Sequence, residues 1–106
     1  MMKAKLVRDK IPEIIKGENA IPIIRVADKD EYWEKLKEKL KEEVEEFLRD
    51  ESDEELADIL EVIYAICEFK GLGKDDLERI RKEKAKERGA FKNRIILEGI
   101  KKDKNC

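Results

Sequence analysis

Two runs of carboxylates carry most of the chemistry open to this chain: Glu42-Glu43-Val44-Glu45-Glu46, and Glu54-Glu55-Leu56-Ala57-Asp58-Ile59-Leu60-Glu61. Oxygen-only donors suit hard divalent cations such as Mg2+ or Mn2+, and the interior of a helical bundle is a known place to gather them. The same acids can instead be neutralised by Lys and Arg, or by protons. Other chemistries are closed. There is no His, Gln or Thr, and Ser52 is the sole Ser. That excludes a Ser-His-Asp triad, a Cys-His pair and a His-ligated zinc within one chain. Reaction chemistry must run on carboxylates, Lys, Arg, Tyr or a metal.

Helical periodicity decides which acids can face inward. At about 100° per residue, Trp33, Leu36, Leu40, Val44 and Phe47 form one stripe of a helix predicted to run from a cap at Asp30 to about Arg49. Glu43 falls about 20° from Leu36 on that wheel. Glu46 and Lys39 lie just beyond the stripe, whereas Glu42 and Glu45 are expected to face water. Ser52 is placed to cap a second helix, which runs to about Lys70 and stops at Gly71-Leu72-Gly73. From Leu56 to Phe69 this helix is apolar around most of its circumference, so a partner subunit is expected to help cover it. Asp58 and Glu61 sit inside that stretch, where an unpaired carboxylate is costly. A turn of a few residues around Asp50–Ser52 makes the two helices antiparallel. Glu46 then comes level with Asp58, and Glu43 with Glu61, so two acidic faces meet and need a counter-cation.

The flanking elements are shorter. Pro12 belongs in the first turn of a short helix ending near Gly17, and Asp75 with Glu78 forms a capping pair for a helix running to about Arg88, before Gly89. Ile21–Val26 is expected to be an edge strand or extended arm, and Arg94–Leu97 a second short strand or arm. Lys101–Cys106 is expected to fray. Trp33 and Tyr64 are read as core, Cys67 as a buried apolar residue and Cys106 as an incidental tail thiol. The result is an all-α, four-helix-bundle-like single domain over residues 1–106.

Charge is segregated along the chain. Lys and Arg number 25 against 27 Asp and Glu, a net −2. Residues 28–61 hold 16 acids and 6 bases, a balance of −10, while residues 79–104 hold 11 bases and 4 acids, a balance of +7. Such segments are either solvated faces that attract one another or a metal-binding patch beside a phosphate-binding one. Lys84 and Arg88, one helical turn apart and ahead of Gly89, are candidate phosphate contacts, as are Arg8 and Lys10. Nucleic acid is not an expected partner, because aromatics are not interleaved with the basic segment and the chain is net acidic. No apolar run approaches the roughly 18–20 residues of a membrane span, and Met1-Met2-Lys3-Ala4-Lys5 opens no signal-peptide core. A cytoplasmic protein is expected, and its Lys/Glu-rich, Gln-free composition fits a thermophile.

Read together, Lys39-Leu40-Lys41-Glu42-Glu43-Val44-Glu45-Glu46 and Glu55-Leu56-Ala57-Asp58-Ile59-Leu60 resemble the E-E-x-x-E…E-x-x-D signature of the all-α nucleotide pyrophosphohydrolases. That superfamily includes MazG-like proteins, dimeric dUTPases and phosphoribosyl-ATP pyrophosphohydrolase. Lys5-Leu6-Val7-Arg8-Asp9-Lys10-Ile11-Pro12 and Arg88-Gly89-Ala90-Phe91-Lys92-Asn93-Arg94-Ile95 are similar to a small phosphoribosyl-ATP-pyrophosphohydrolase-like subgroup, so the resemblance spans nearly the whole chain.

The resemblance implies a helical-bundle homodimer or dimer of dimers. Such an enzyme cleaves a nucleotide between its α- and β-phosphates, releasing a monophosphate and pyrophosphate. Carried over by position, the Mg2+ ligands are Glu43, Glu46, Glu55 and Asp58, with Mn2+ as an alternative ion. Glu46 is assigned the proton of the attacking water, and Lys39 joins Lys84, Arg88, Arg8 and Lys10 as a substrate contact. One interval departs from the pattern: eight residues separate Glu46 from Glu55, fewer than the superfamily usually shows. Glu55 thereby falls three residues after Ser52, where a capping box would occupy it, and Glu61 is then the substitute ligand. The rival class is a non-catalytic helical oligomer whose acidic seam is closed by salt bridges.

Overall fold

Helix-forming signals in the sequence produce four helices: Ile11–Gly17 (α1), Lys29–Asp50 (α2), Asp53–Lys70 (α3) and Lys74–Arg88 (α4). No strand forms among the described residues. The all-α class is therefore as expected. This computed structural model describes residues 3–103; Met1, Met2 and Lys104–Cys106 lie outside them, and with them the tail thiol and part of the segment expected to fray. The chain divides into two compact units, one ending at Lys74 and the other beginning at Asp75. Among the described residues, no helix is long and apolar enough to cross a membrane.

The first unit is organised by the α2–α3 hairpin. The cap of α2 is Asp28, two residues ahead of the expected Asp30: its Oδ1 accepts the Glu31 N–H at 2.9 Å. Asp30 and Glu31 instead occupy the first turn, where negative charge suits the helix dipole. Glu51 ends α2 in the left-handed region (φ 53°), its N–H on the Phe47 carbonyl at 2.7 Å. Only Glu51 and Ser52 separate α2 from α3, so the chain reverses at once. Ser52 stands at the N-cap position of α3 but caps no backbone N–H with its side chain; its hydroxyl donates to the Glu55 carboxylate instead. At the other end Gly71 (φ 73°) and Leu72 direct their N–H groups to the Glu68 and Cys67 carbonyls, a Schellman stop.

Ring contacts fix the antiparallel register. Phe69, near the end of α3, stacks on Trp33 at 5.1 Å between centroids and meets Tyr32 edge-on at 5.8 Å, both at the start of α2. Between this aromatic cluster and the turn, Leu36 is the most buried side chain, at 1% exposure, and Val62 and Cys67 of α3 are buried as well. Burial of one such leucine contributes about 2 kcal/mol. The core is thin. Leu48, Leu56 and Leu60 remain exposed within one chain, whereas Val62–Cys67 of α3 are all buried or half-buried.

The residues ahead of α1 cross the hairpin as a strap. Lys35 of α2 donates to the Ala4 carbonyl at 3.3 Å, Lys5 pairs with Glu42 of α2, and Arg8 pairs with Asp58 of α3. After α1 the Ile21–Val26 segment lies outside any helix or ladder, with Ile21, Ile23, Ile24 and Val26 exposed. Of the two readings open for it, arm and edge strand, only the arm is realised.

α4 begins at Lys74, the last residue of the first unit, so Asp75 lies in its first turn rather than ahead of it as a cap. Pairs at i,i+3 lace its surface, among them Glu78 with Arg81 and Asp76 with Arg79. Arg94 takes a left-handed backbone (φ 54°), which breaks the extended run expected from it.

Candidate metal centre and anion groove

Three carboxylates of α2 converge. One oxygen from each of Glu42, Glu43 and Glu46 lies within 4.8 Å of the others. Glu43 and Glu46 are three residues apart and share a face. Glu43 is buried at 6% exposure, beside Leu36 in the helix phase the sequence anticipates. Its Oε1 lies 3.3 Å from Lys39 Nζ, while its Oε2 is buried with no hydrogen-bond partner among the described residues. A buried acceptor without a donor is costly, and either a proton shared with Glu46 or a cation would relieve it.

Glu42 corrects the expectation that it faces water. It is half-buried, with Oε1 3.3 Å from Lys5 Nζ and Oε2 3.4 Å from Lys39 Nζ. Helix phase alone points it away from the stripe, but the strap brings Lys5 over that side of α2 and covers it. Burial by itself raises the Glu42 carboxyl; the Lys5 hydrogen bond and the Lys39 and Lys5 charges outweigh burial and hold it below its ordinary value. Glu46 has no such support. Burial raises its carboxyl first, the Glu43 charge and hydrogen bond next, and the opposing pull of Lys39 is smaller, so it stands above the ordinary carboxylate range. A raised carboxyl holds a proton more readily than an ordinary one, which suits Glu46 to proton transfer.

The other expected ligands lie elsewhere. Glu55 is engaged by the Ser52 hydroxyl, and Asp58 receives Arg8 Nη2 at 2.6 Å. Neither joins a cluster of three or more carboxylates among the described residues. Asp58 and Glu61 do share with Glu43 the wall of a groove of about 720 Å3 between the strap and the hairpin. Cations line the same space: Arg8 and Lys10 from the strap, Lys39 from α2 and Lys74 from the end of the unit. Its apolar floor includes Leu36 and Val62, and Tyr32 and Tyr64 are exposed to it. Tyr64, read as core from its helix, carries Lys74 Nζ 4.4 Å from its ring centre. Trp33, also read as core, is only half-buried: it stacks on Phe69 and carries Lys37 Nζ 5.4 Å from its ring centre. Lys84 and Arg88 lie on the exposed surface of α4 in the second unit.

This donor set fits a hard divalent cation: three carboxylates with oxygens close together, one of these residues buried with an unpaired oxygen, and no sulfur or nitrogen ligand among them. Sequence reasoning missed Glu42, Lys5 and Lys74. Lys5 could have been found from the resemblance of its segment, but nothing in helical periodicity signals a strap.

Comparison with known proteins adds little to this geometry. No family model matches the chain, and no solved structure matches it. An uncharacterized protein of Mycolicibacterium smegmatis is 54% identical over 37 residues, which cover 35% of this chain and 38% of that protein.

Proposed function

We propose that the first unit is the working part of a Mg2+-dependent nucleotide pyrophosphohydrolase, cleaving a nucleoside triphosphate or related nucleotide between its α- and β-phosphates. The observation that carries the reading is Glu43: a buried carboxylate with an unpaired oxygen, close to Glu42 and Glu46, on the wall of a groove that also presents Arg8, Lys10 and Lys39. Carboxylates for a cation and ammonium or guanidinium groups for phosphate are thus set side by side on one hairpin. Glu43 and Glu46, with Glu42 beside them and Asp58 across the groove, would hold the ion. Bound there, Mg2+ or Mn2+ would neutralise phosphate charge and make water a stronger nucleophile. Arg8 and Lys10 would orient the polyphosphate by charge-assisted hydrogen bonds, and Glu46 would accept the proton of the attacking water. The apolar floor and the two tyrosines offer a surface for a base or sugar.

The proposal includes a second copy of the chain, packed against the exposed leucines of the hairpin, and a cytoplasmic setting where free nucleotides and Mg2+ are available. A second reading, a non-catalytic helical module with a salt-bridged seam, is favoured by one observation: Lys5, Arg8 and Lys39 already pair with Glu42, Asp58 and Glu43. Metal titration separates the two. A cation site raises the melting temperature with Mn2+ concentration, and a panel of nucleoside triphosphates then yields pyrophosphate; a closed seam does neither.

A further inference from the structure

Lys39 stands between the carboxylate cluster and the groove. Its ammonium lies 3.3 Å from Glu43 Oε1 and 3.4 Å from Glu42 Oε2, so it bridges two of the three clustered acids. Its side chain is only 16% exposed, yet it and Glu43 line the same groove. Glu43 is thus half satisfied: one oxygen faces Lys39 and the other has no partner. The charge count is uneven as well. Three carboxylates stand against two ammonium groups, that of Lys39 and, at Glu42, that of Lys5.

A divalent ion that takes the Glu43 and Glu46 oxygens therefore arrives at contact distance from an ammonium using the same carboxylates. Like charges that close repel strongly in a partly buried site. A lysine can yield, because its compact ammonium rides on a flexible four-carbon stem and its donors rotate freely. The direction open to it is the groove.

Resting on the metal-site reading above, we propose that Lys39 is a positioning residue that changes places with the divalent cation. With the carboxylates free of metal, the Lys39 ammonium neutralises Glu42 and Glu43 in place of the cation. With the cation bound, its ammonium swings into the groove and becomes a contact for a phosphate. Cation and anion binding are then coupled, each raising affinity for the other by the same factor. The groove acquires its phosphate contact only when the ion needed for hydrolysis is in place.

The experiment uses the full chain and Mn2+ alone as the probe. Lys39 acetylation by an amine-reactive ester is followed by peptide mass spectrometry, with the exposed Lys41 as internal reference. Mn2+ affinity is measured by calorimetry for wild type and Lys39→Met. Exchange predicts that saturating Mn2+ speeds Lys39 acetylation relative to Lys41 by about fivefold, and that Lys39→Met binds Mn2+ about fivefold more tightly, the lower end of ordinary coupling between sites. If Mn2+ binds and Lys39 reactivity stays unchanged, the exchange is wrong while the cation site stands, whatever the affinity of the variant. If wild type binds no Mn2+, both the exchange and the reading beneath it fall. Should Lys39→Met not fold, acetylation of the wild type alone still decides.

Discussion

Arg8 Nη2 lies 2.6 Å from Asp58 Oδ1 across a separation of fifty positions in the chain, which ties the N-terminal strap to the third helix at the mouth of the groove. The contact gives a proposed phosphate ligand and a proposed metal ligand a common partner in each other. Neither residue is deeply buried, so the pair contributes at most about 1 kcal/mol to stability.

That low structural contribution makes Asp58 testable. Asp58→Asn should leave the melting temperature close to that of wild type and abolish metal-dependent pyrophosphate release. Turnover of the variant at the wild-type rate would remove Asp58 from the site.

Three glutamates of α2 provide a graded test. Glu43→Gln, at the buried and unpaired position, should weaken Mn2+ binding at least tenfold, about 1.4 kcal/mol. Glu42→Gln should weaken it by less, because Lys5 and Lys39 already share that carboxylate. Glu45→Gln should change nothing measurable, since its carboxylate is exposed and its pair with Lys41 is long, at 4.0 Å. Calorimetry on the three variants gives the order, and a loss at Glu45 equal to that at Glu43 would show the helix phase to be misread.

Much of this order was legible in the sequence, and the reason is periodicity. A phase of 100° per residue places Glu43 beside Leu36 and Glu45 outside, and both are so. The hairpin was legible too, because a serine at the N-cap position and a glycine stop are local signals. Glu42 was not legible. Its environment is made by Lys5, thirty-seven positions away, and no wheel contains such a contact. The same holds for Asp58, whose partner comes from the strap, and for Tyr64, which an apolar helix consigns to the core although a groove passes beside it. Local order is written in spacing, whereas contacts between distant segments depend on where a chain without regular structure happens to lie.

Glu46 carries a pH dependence of definite sign. Burial and the neighbouring Glu43 charge raise its carboxyl above the ordinary range. Between the unfolded value and the raised one the folded chain holds a proton that the unfolded chain has released, so stability falls as pH rises through that window. Glu46→Gln removes the charged form. Without divalent cations, the variant should melt higher than wild type at pH 7, and the difference should shrink toward zero below about pH 4, where the wild-type carboxyl is neutral as well. Thermal melts at both pH values check it; a difference that is the same at each would mean that charge is not its origin.

The last expectation concerns the face of the hairpin away from the strap's ion pairs. Leu56 and Leu60 are one helical turn apart on α3 and are 50% and 45% exposed; Val44 and Leu48 are likewise one turn apart on α2 and exposed. Counted outward from the Glu51–Ser52 turn, the two pairs come level, and the proposed assembly takes them as one apolar surface at the closed end of the hairpin. A second hairpin laid against it would bury the half of each side chain now in water. At roughly 1 kcal/mol apiece, four side chains on each protomer offset much of the entropic cost of docking but leave little surplus, so a micromolar dimer needs contacts beyond these four. So narrow a margin should not survive one buried charge. Wild type should show a dimeric or larger mass by light scattering at micromolar concentration. Leu60→Glu should be monomeric yet helical by circular dichroism, because in the single chain the new carboxylate reaches water. A monomeric wild type would overturn the assembly, and a dimeric Leu60→Glu would move the interface to another face of the chain.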